Sequence, residues 1–548
     1  MLHLGRRVLW RGMVPQSLRV LLLFLLCGLL TISCHRSSLD AKAPVGDRNR
    51  IVMGTTAAIN TLDPADAYGT FPGTLLYNLG DRLYTYKLGT NDLEPQLATA
   101  FPTISADGLT YTIPLRQGVL FHDGTRFDAR AMAFSLQRFM ENGGAPSFLL
   151  ADLVESVNPT ADYELTLKLK KPFAAFPALL AFSGACAVSP QAYEIKPGEF
   201  KPRQFVGTGP YKLVKFGTDQ ILLDAFEQYW GQKPANRGVD IQIFSSPANL
   251  FNAFRTRAID IAYQSLAIEQ IASLEESAAT AGWQIIERSG SGIDVLTLNL
   301  KSPPLDQLEV RQAIAALIDR PLLQERVFQR QIDPLYSLVP VSLDAHQPVF
   351  KDQYGDSNIA KAMELLQQAG YSRTHPLKLE FWYRSNVIKD QLAAITFKAI
   401  ARKKMDGLVQ LDLKSVESTT AYKYLDKGAY PIFLLDWTPD FFDPDNYIYP
   451  FMECSTGSVE KGCEEGQSVL WGSYYYSNRA NQLIDQSRKE QNPAIREQLF
   501  VQLQNLLAQD VPFIPLWQNK DFLFAQPGVQ GASLEVTQKV PLWTMQKS

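Results

Sequence analysis

Histidine and cysteine are scarce in this 548-residue chain, with five of each. His3, His35, His122, His346 and His375 are widely separated, and no His-Glu-x-x-His zinc helix occurs. A Gly-x-Ser-x-Gly nucleophile elbow is missing too, since Ser289-Gly290-Ser291-Gly292 lacks the preceding glycine in register. Gly207-Thr208-Gly209-Pro210-Tyr211-Lys212 lacks Walker spacing, and Pro210 removes an amide that a phosphate would need, so a structural turn is expected there. Asp436, Asp440, Asp443 and Asp445 come without the mid-loop glycine and terminal glutamate of a calcium loop. Charge of one sign is also lacking. With 53 Lys and Arg against 56 Asp and Glu, the net charge is −3, and no basic excess exists to neutralise a nucleic-acid backbone. These absences argue against an enzyme, a bound metal, a cofactor and a nucleic-acid partner. A secreted hydrolase, with a triad assembled in space around His122, is the alternative from a different class.

Long apolar runs are nearly absent. The exception is the eleven-residue stretch Val20 to Leu30, preceded by Arg6, Arg7, Arg11 and Arg19 and no acid. This is a signal-peptide pattern, too short for the roughly 20 residues of a permanent span. The rest of the chain is expected to be soluble. The run ends in Thr31-Ile32-Ser33-Cys34, which resembles the lipobox of bacterial lipoproteins and makes Cys34 the expected lipidation site; Thr31 stands where a leucine is usual. Cleavage there removes four arginines and no acid, taking the net charge from −3 to −7. Cys454 and Cys463 bracket a Gly/Ser/Glu loop, where an oxidising compartment favours a local disulfide, although sequence alone does not establish the pairing. A zinc site would lack a Cys-x-x-Cys or nearby histidine to complete it.

What is present is a mixture of strand and helix signals. The length exceeds one ordinary core, so at least two packed units are expected. Tyr163, Leu165, Leu167 and Leu169 alternate with polar residues and predict a strand with one buried face. Ile241–Phe244 and Val295–Leu300 predict shorter strands, and Pro512–Trp517 a strand-like return. Asp306, with Glu309 three places on, predicts a capped helix; Ser357 opens a second that ends at Gly370, and Asn492-Pro493 a third. No Pro/Gly/Ser linker divides the body, which suggests interleaved lobes of α/β type.

Several short motifs, each weak alone, form a specific order: Leu62-Asp63-Pro64, Pro95-Gln96-Leu97-Ala98, Leu115-Arg116-Gln117-Gly118-Val119, Phe121-His122-Asp123-Gly124-Thr125, Gly207-Thr208-Gly209-Pro210-Tyr211, Gln228-Tyr229-Trp230-Gly231 and Val310-Arg311-Gln312-Ala313-Ile314. Together they resemble the bacterial family 5 extracellular solute-binding proteins of peptide-type ABC importers, over about residues 51 to 540. The resemblance implies a periplasmic-binding-protein type II-like α/β fold, with two interleaved lobes closing on a ligand plus an additional domain. The expected division is a signal peptide at 1–33, a tether at 34–49, lobe I at 50–90, 203–285 and 509–548, the additional domain at 91–202, and lobe II at 286–508. His122 then reads as part of a structural loop.

The segment from Asp436 to Tyr447 looks like the family's Trp-x-x-Asp-x-x-x-Pro stretch, in which the aspartate at the position of Asp440 pairs with a peptide's N-terminal ammonium. Such a carboxylate makes a charge-assisted bond in a dry cleft. Trp437 is expected beside the ligand, with Asp443 and Asp445 structural. Tyr68 and Tyr263 fall where the family lines its cleft, and Arg384, after Trp382 and Tyr383, is the candidate cation for a ligand carboxylate. The expected protein is a monomeric, membrane-tethered, non-catalytic receptor that delivers peptides to an ABC permease; a sugar or metal chelate is the alternative solute. Mass spectrometry of membrane-extracted protein is expected to show a diacyl or triacyl group on Cys34, and an unmodified N-terminus elsewhere would refute the anchor.

Overall fold

The computed structural model describes residues 49–264 and 266–548. The expected signal peptide, Cys34 and all but the last residue of the expected tether lie outside the described residues. Among the described residues no helix is long and apolar enough to cross a membrane.

The alternation around residue 165 forms the strand Glu164–Leu169, with Leu165, Leu167 and Leu169 buried. It pairs with Thr110–Pro114 and Val154–Ala161 in a four-stranded antiparallel sheet that Thr103–Ile104 completes. The helix Ala129–Glu141 packs on this sheet. Its first turn is capped by Asp128, whose carboxylate accepts the Ala131 N–H at 2.9 Å. Met132, Leu136 and Phe139 from the helix share a core with Tyr111, Ile113 and Leu167.

Among the described residues eleven further strands make one mixed sheet. Two long neighbours, Gln284–Leu298 and Phe513–Ala525, run antiparallel through its middle. Beyond Phe513–Ala525 lie Ile261–Tyr263, Arg50–Thr55, Gly238–Ile243, Gln220–Ala225 and Tyr211–Phe216; beyond Gln284–Leu298 lie Ile432–Trp437, Leu377–Arg384 and Val409–Val416. The first group buries Ile51, Met53, Val239, Ile241 and Leu523 in one core, while the second buries Phe381, Phe433 and Leu435 with Ile314, Phe397 and Leu503 in another. The first group of strands comes from residues 50–263 and the second from residues 377–437, and the two central strands join them.

Both central strands are longer than the expected 295–300 and 512–517. Gly290 and Gly292 fall where the register shifts between Ser289 and Ile293, while pairing continues on both sides. A Cβ at Gly290 would lie 2.4 Å from Asp521 Oδ2 and 3.0 Å from the Asn519 carbonyl oxygen, so a side chain there would collide.

Two helix starts also differ from expectation. The first helix is Leu308–Leu317, preceded by Gln307 with no side-chain cap, so Asp306 is not its cap. The second is Ile359–Gln368, capped by Asn358, which accepts the Lys361 N–H at 3.2 Å; Ser357 lies outside it at φ +49°. The amide-bearing Asn358 reaches the first-turn N–H that the shorter Ser357 was expected to take. The third helix, Pro493–Asp510, begins as expected, with Asn492 Oδ1 accepting from Ala494 and Ile495.

One buried ion pair joins the early loop to the smaller sheet's helix. Arg138 Nη1 and Nη2 donate to the two Asp63 oxygens at 2.7 and 2.6 Å, and Asp63 also accepts the Ala65 and Lys201 N–H groups. Removing the charge of Asp63 leaves a buried guanidinium uncompensated, which typically costs about 3–5 kcal/mol. Asp63→Asn is therefore expected to lower the urea midpoint by that equivalent with an unchanged slope; a loss under about 1 kcal/mol would show that the pair is dispensable.

Candidate functional site

Four segments from separate parts of the chain meet around a cavity of about 270 Å³. They are the loop and helix containing Tyr68, Gly73 and Tyr77, the turn Ala178–Gly184, the loop Thr438–Phe442, and the C-terminal turn with Glu535, Gln538 and Lys539. Ser291, from the register shift of the central strand, lines it as well.

The loop from 438 to 442 is held by burying neighbouring aromatics in different cores. Phe441 packs edge-on to Phe173, ring centroids 5.7 Å apart, within the core of the four-stranded sheet. Phe442 belongs to the core beneath Phe433; it meets Tyr86 edge-on at 6.2 Å, and the Tyr86 hydroxyl donates to its carbonyl at 3.0 Å. Immediately before these anchors the Asp440 N–H donates to Asn446 Oδ1 at 2.8 Å. The carboxylate of Asp440 is left facing the cavity, where Tyr68 Oη donates to its Oδ1 at 2.5 Å.

The other aspartates of this acidic stretch are neutralised. Asp443 takes two bonds from Arg496 at 2.6 and 2.8 Å, Asp445 pairs with Arg488 at 3.1 Å, and Asp436 pairs with Arg384. Among the described residues Asp440 has no cationic partner. Burial pushes its carboxyl up to about 6, against the lowering effect of the Tyr68 hydrogen bond.

Lys539 lies on the opposite chain segment and also lines the cavity. Burial, with Arg82 nearby, brings its ammonium down to about 8 although Asp521 pulls the other way. Tyr263, expected at the ligand, is buried behind this turn: its hydroxyl donates to the Gln538 carbonyl at 2.6 Å.

Arg384 does not face the cavity. Its Nε and Nη2 donate to Asp390 at 2.7 and 3.1 Å, and Nη1 serves Tyr422 and Asp436, so Nε, Nη1 and Nη2 are all engaged within the fold. Trp382 packs against Tyr430 at 5.1 Å and donates its Nε1–H to Glu380 at 3.2 Å, while Tyr383 packs on the core of the same side. The Trp437 ring is edge-on to Phe451 and Trp471 at 5.5 and 5.1 Å. None of these four lines the cavity. Of the residues expected there, Asp440 and Tyr68 are brought together, and Lys539, Glu535 and Phe182 were missed. Adjacent Phe441 and Phe442 carried a readable signal, because paired aromatics in a loop of aspartates must bury in two directions; Lys539 carried none, since nothing local distinguishes it from a surface lysine.

Other conspicuous motifs are structural. His122 Nε2 lies 3.0 Å from the Gly209 carbonyl oxygen, and burial lowers its imidazole to about 4. A Cβ at Gly209 would sit 2.5 Å from the Leu79 carbonyl carbon, so the glycine permits close backbone packing. Cys454 and Cys463 form a disulfide with Cα atoms 5.7 Å apart, and Cys186 is a buried thiol.

A mixed sheet traversed by two long strands, with a ligand-sized cavity where separate chain segments converge, defines a binding protein of the periplasmic type. The sequence matches the profile of the bacterial extracellular solute-binding proteins, family 5, over residues 92–458. The chain belongs to that family, whose members are extracytoplasmic receptors working with ABC permeases, not enzymes. It is 26% identical over 533 residues to heme-binding protein A of Haemophilus influenzae, covering 91% of this chain and 92% of the relative. It is 27% identical over 488 residues to the glutathione-binding protein GsiB of Escherichia coli K12, covering 85% and 88%. The periplasmic binding protein DppA of Helicobacter pylori, solved with the peptide STSA, superposes with a TM-score of 0.71 at 23% identity, covering 91% of this chain and 98% of that one.

The raised Asp440 carboxyl has a consequence for the ligand-free protein. The folded state holds a proton up to about pH 6, whereas an unfolded aspartate releases it near pH 3.9, at roughly the unperturbed value. This contribution to stability is full below about pH 4 and is lost as pH rises through about 6. Urea unfolding across that range is expected to show Asp440→Asn gaining on the wild type as pH rises; a constant difference would place Asp440 in an unperturbed environment.

Proposed function

We propose that this receptor captures peptides by their free N-terminal ammonium and delivers them to an ABC import permease, while held to the membrane as a monomer through Cys34. The observation that carries this reading is the Asp440 carboxylate, desolvated at the cavity wall and without a cation among the described residues. A buried carboxylate is costly unless compensated, and an ammonium donating to it supplies both the charge and the hydrogen bonds. Tyr68 prepares the site by fixing one oxygen, which leaves Oδ2 for the ligand. Two α/β halves joined by continuous strands suit closure around a solute.

The related proteins named above bind haem, glutathione and a peptide, so the scaffold admits several solutes. Glutathione and the peptide share a primary ammonium with the proposed ligand, and that is the group Asp440 suits.

Calorimetry with matched free-amine and N-acetylated peptides tests this reading. Loss of one partner of a buried pair costs about 3–5 kcal/mol, so Asp440→Asn is expected to weaken free-amine peptides roughly hundredfold or more and to spare acetylated ones. Equal loss for both would remove the ammonium contact. Native mass spectrometry that found a retained sugar or metal chelate would favour the alternative solute.

A further inference from the structure

The C-terminal turn is built around a conformation that ordinary side chains rarely adopt. Gln538 has φ +60°, in the left-handed region, where a non-glycine residue is uncommon and persists only when its surroundings hold it. Those surroundings are specific. The Gln538 carbonyl accepts from Tyr263 Oη at 2.6 Å, its side-chain Nε2 donates to Asp521 Oδ1 at 3.0 Å, and its N–H donates to the Glu535 carbonyl at 2.9 Å. The Glu535 N–H closes the turn on the Lys539 carbonyl at 2.9 Å. What this constrained turn presents is the side chain of Lys539.

The ammonium of Lys539 reaches the helix Thr70–Leu79 at Gly73. A Cβ on Gly73 would lie 2.8 Å from Nζ, so the missing side chain is what leaves room for the charge. Among the described residues no hydrogen bond or ion pair to Nζ is present, and Asp521, the carboxylate that acts on it, is itself bound to Gln538. A lysine with only a structural role would meet a carboxylate or carbonyl here. Instead a desolvated cation lines the same cavity as the desolvated anion Asp440.

We infer that Lys539 binds the carboxylate of the ligand, so that the cavity takes a short zwitterion held at both ends. This deepens the peptide reading and rests on it for the ammonium end only. The role expected for Arg384 passes to a residue from a different lobe, since Arg384 is consumed by Asp390, Asp436 and Tyr422. At about 270 Å³ the cavity falls just below the usual range of ligand sites, about 300–1,000 Å³, and two charged groups on its walls suit a ligand of few residues.

The experiment compares short peptide acids with the corresponding C-terminal amides, in wild type, Lys539→Met and Gly73→Ala. Wild type is expected to prefer the acid roughly tenfold to hundredfold, the usual range for a hydrogen bond to a charged group. Lys539→Met is expected to abolish that preference. Gly73→Ala keeps the lysine but displaces its flexible end, and is expected to reduce the preference while the melting temperature stays near that of wild type. If peptides bind through Asp440 but both variants keep the wild-type acid-to-amide ratio, the Lys539 role is overturned and the ammonium reading stands. If Lys539 governs the ratio while Asp440→Asn has no effect, the ammonium reading alone falls. Failure of every peptide acid to bind wild type overturns both.

Discussion

The antiparallel pairing of Gln284–Leu298 with Phe513–Ala525 is the constraint on which the remaining architecture depends. One half of this ribbon carries strands that begin with Arg50–Thr55, and the other half carries Ile432–Trp437 and its neighbours. The first group of strands lies within residues 50–263 and the second within residues 377–437, and the ribbon is what joins the two groups into one sheet. The register shift between Ser289 and Ile293 sits at the junction, and Ser291 thereby reaches the cavity. Bulges bend and twist a ribbon locally without ending its pairing. The junction consequently combines continuity with a defined point of bending, which two lobes around one solute require.

Charge compensation decides which residues of the acidic loop remain available. Asp436, Asp443 and Asp445 have cations supplied by Arg384, Arg496 and Arg488. Four aspartates spread over a strand end and the loop after it would repel one another if all were left unpaired, so three structural pairs are what permit one uncompensated carboxylate. The aromatic neighbours then determine where that carboxylate points. Phe441 and Phe442 enter separate cores, and the short loop between Thr438 and Phe442 has little freedom to turn Asp440 away. Tyr68, a half-exposed side chain edge-on to Phe148 at 6.2 Å, completes the arrangement from the other side.

Legibility from sequence followed the range of the interactions. Alternation revealed Glu164–Leu169 because the signal is contained within one strand, and Asn492-Pro493 marked a helix start because a cap acts over three residues. The central strands extend beyond the expected 295–300 and 512–517 because their pairing partner, each other, is distant in sequence and continues across the register shift at Ser289 to Ile293. Asp440 was legible through a motif and Tyr68 through its place after Leu62-Asp63-Pro64. Arg384 was misplaced because a cation at a strand end looks identical whether its partner is a ligand or Asp390, which is six residues away and buried on the same side. Lys539 was invisible for the converse reason: its place at the cavity arises from Gly73, Tyr263 and Asp521, each brought to it by the tertiary fold.

The same separation explains how one scaffold can serve unlike solutes. The cavity walls come from short segments anchored by residues such as Phe441 and Phe442 in separate cores, so a polar lining side chain beside those anchors can change while the sheets stay intact. Fold therefore specifies that a solute is enclosed, and a few charged groups specify which one. In this chain the groups proposed for that role, Asp440 and Lys539, lie on different segments, and the Tyr68–Asp440 hydrogen bond at 2.5 Å joins the loop after the first strand to the loop after Ile432–Trp437. On the proposed peptide reading, a ligand ammonium beside Asp440 would remove the desolvation cost of holding that carboxylate at the cavity wall. Ligand charge and lobe closure would then be linked, because a solute stabilises a closed form only by as much as it binds that form better than the open one, and the proposed compensation of Asp440 would supply such a difference.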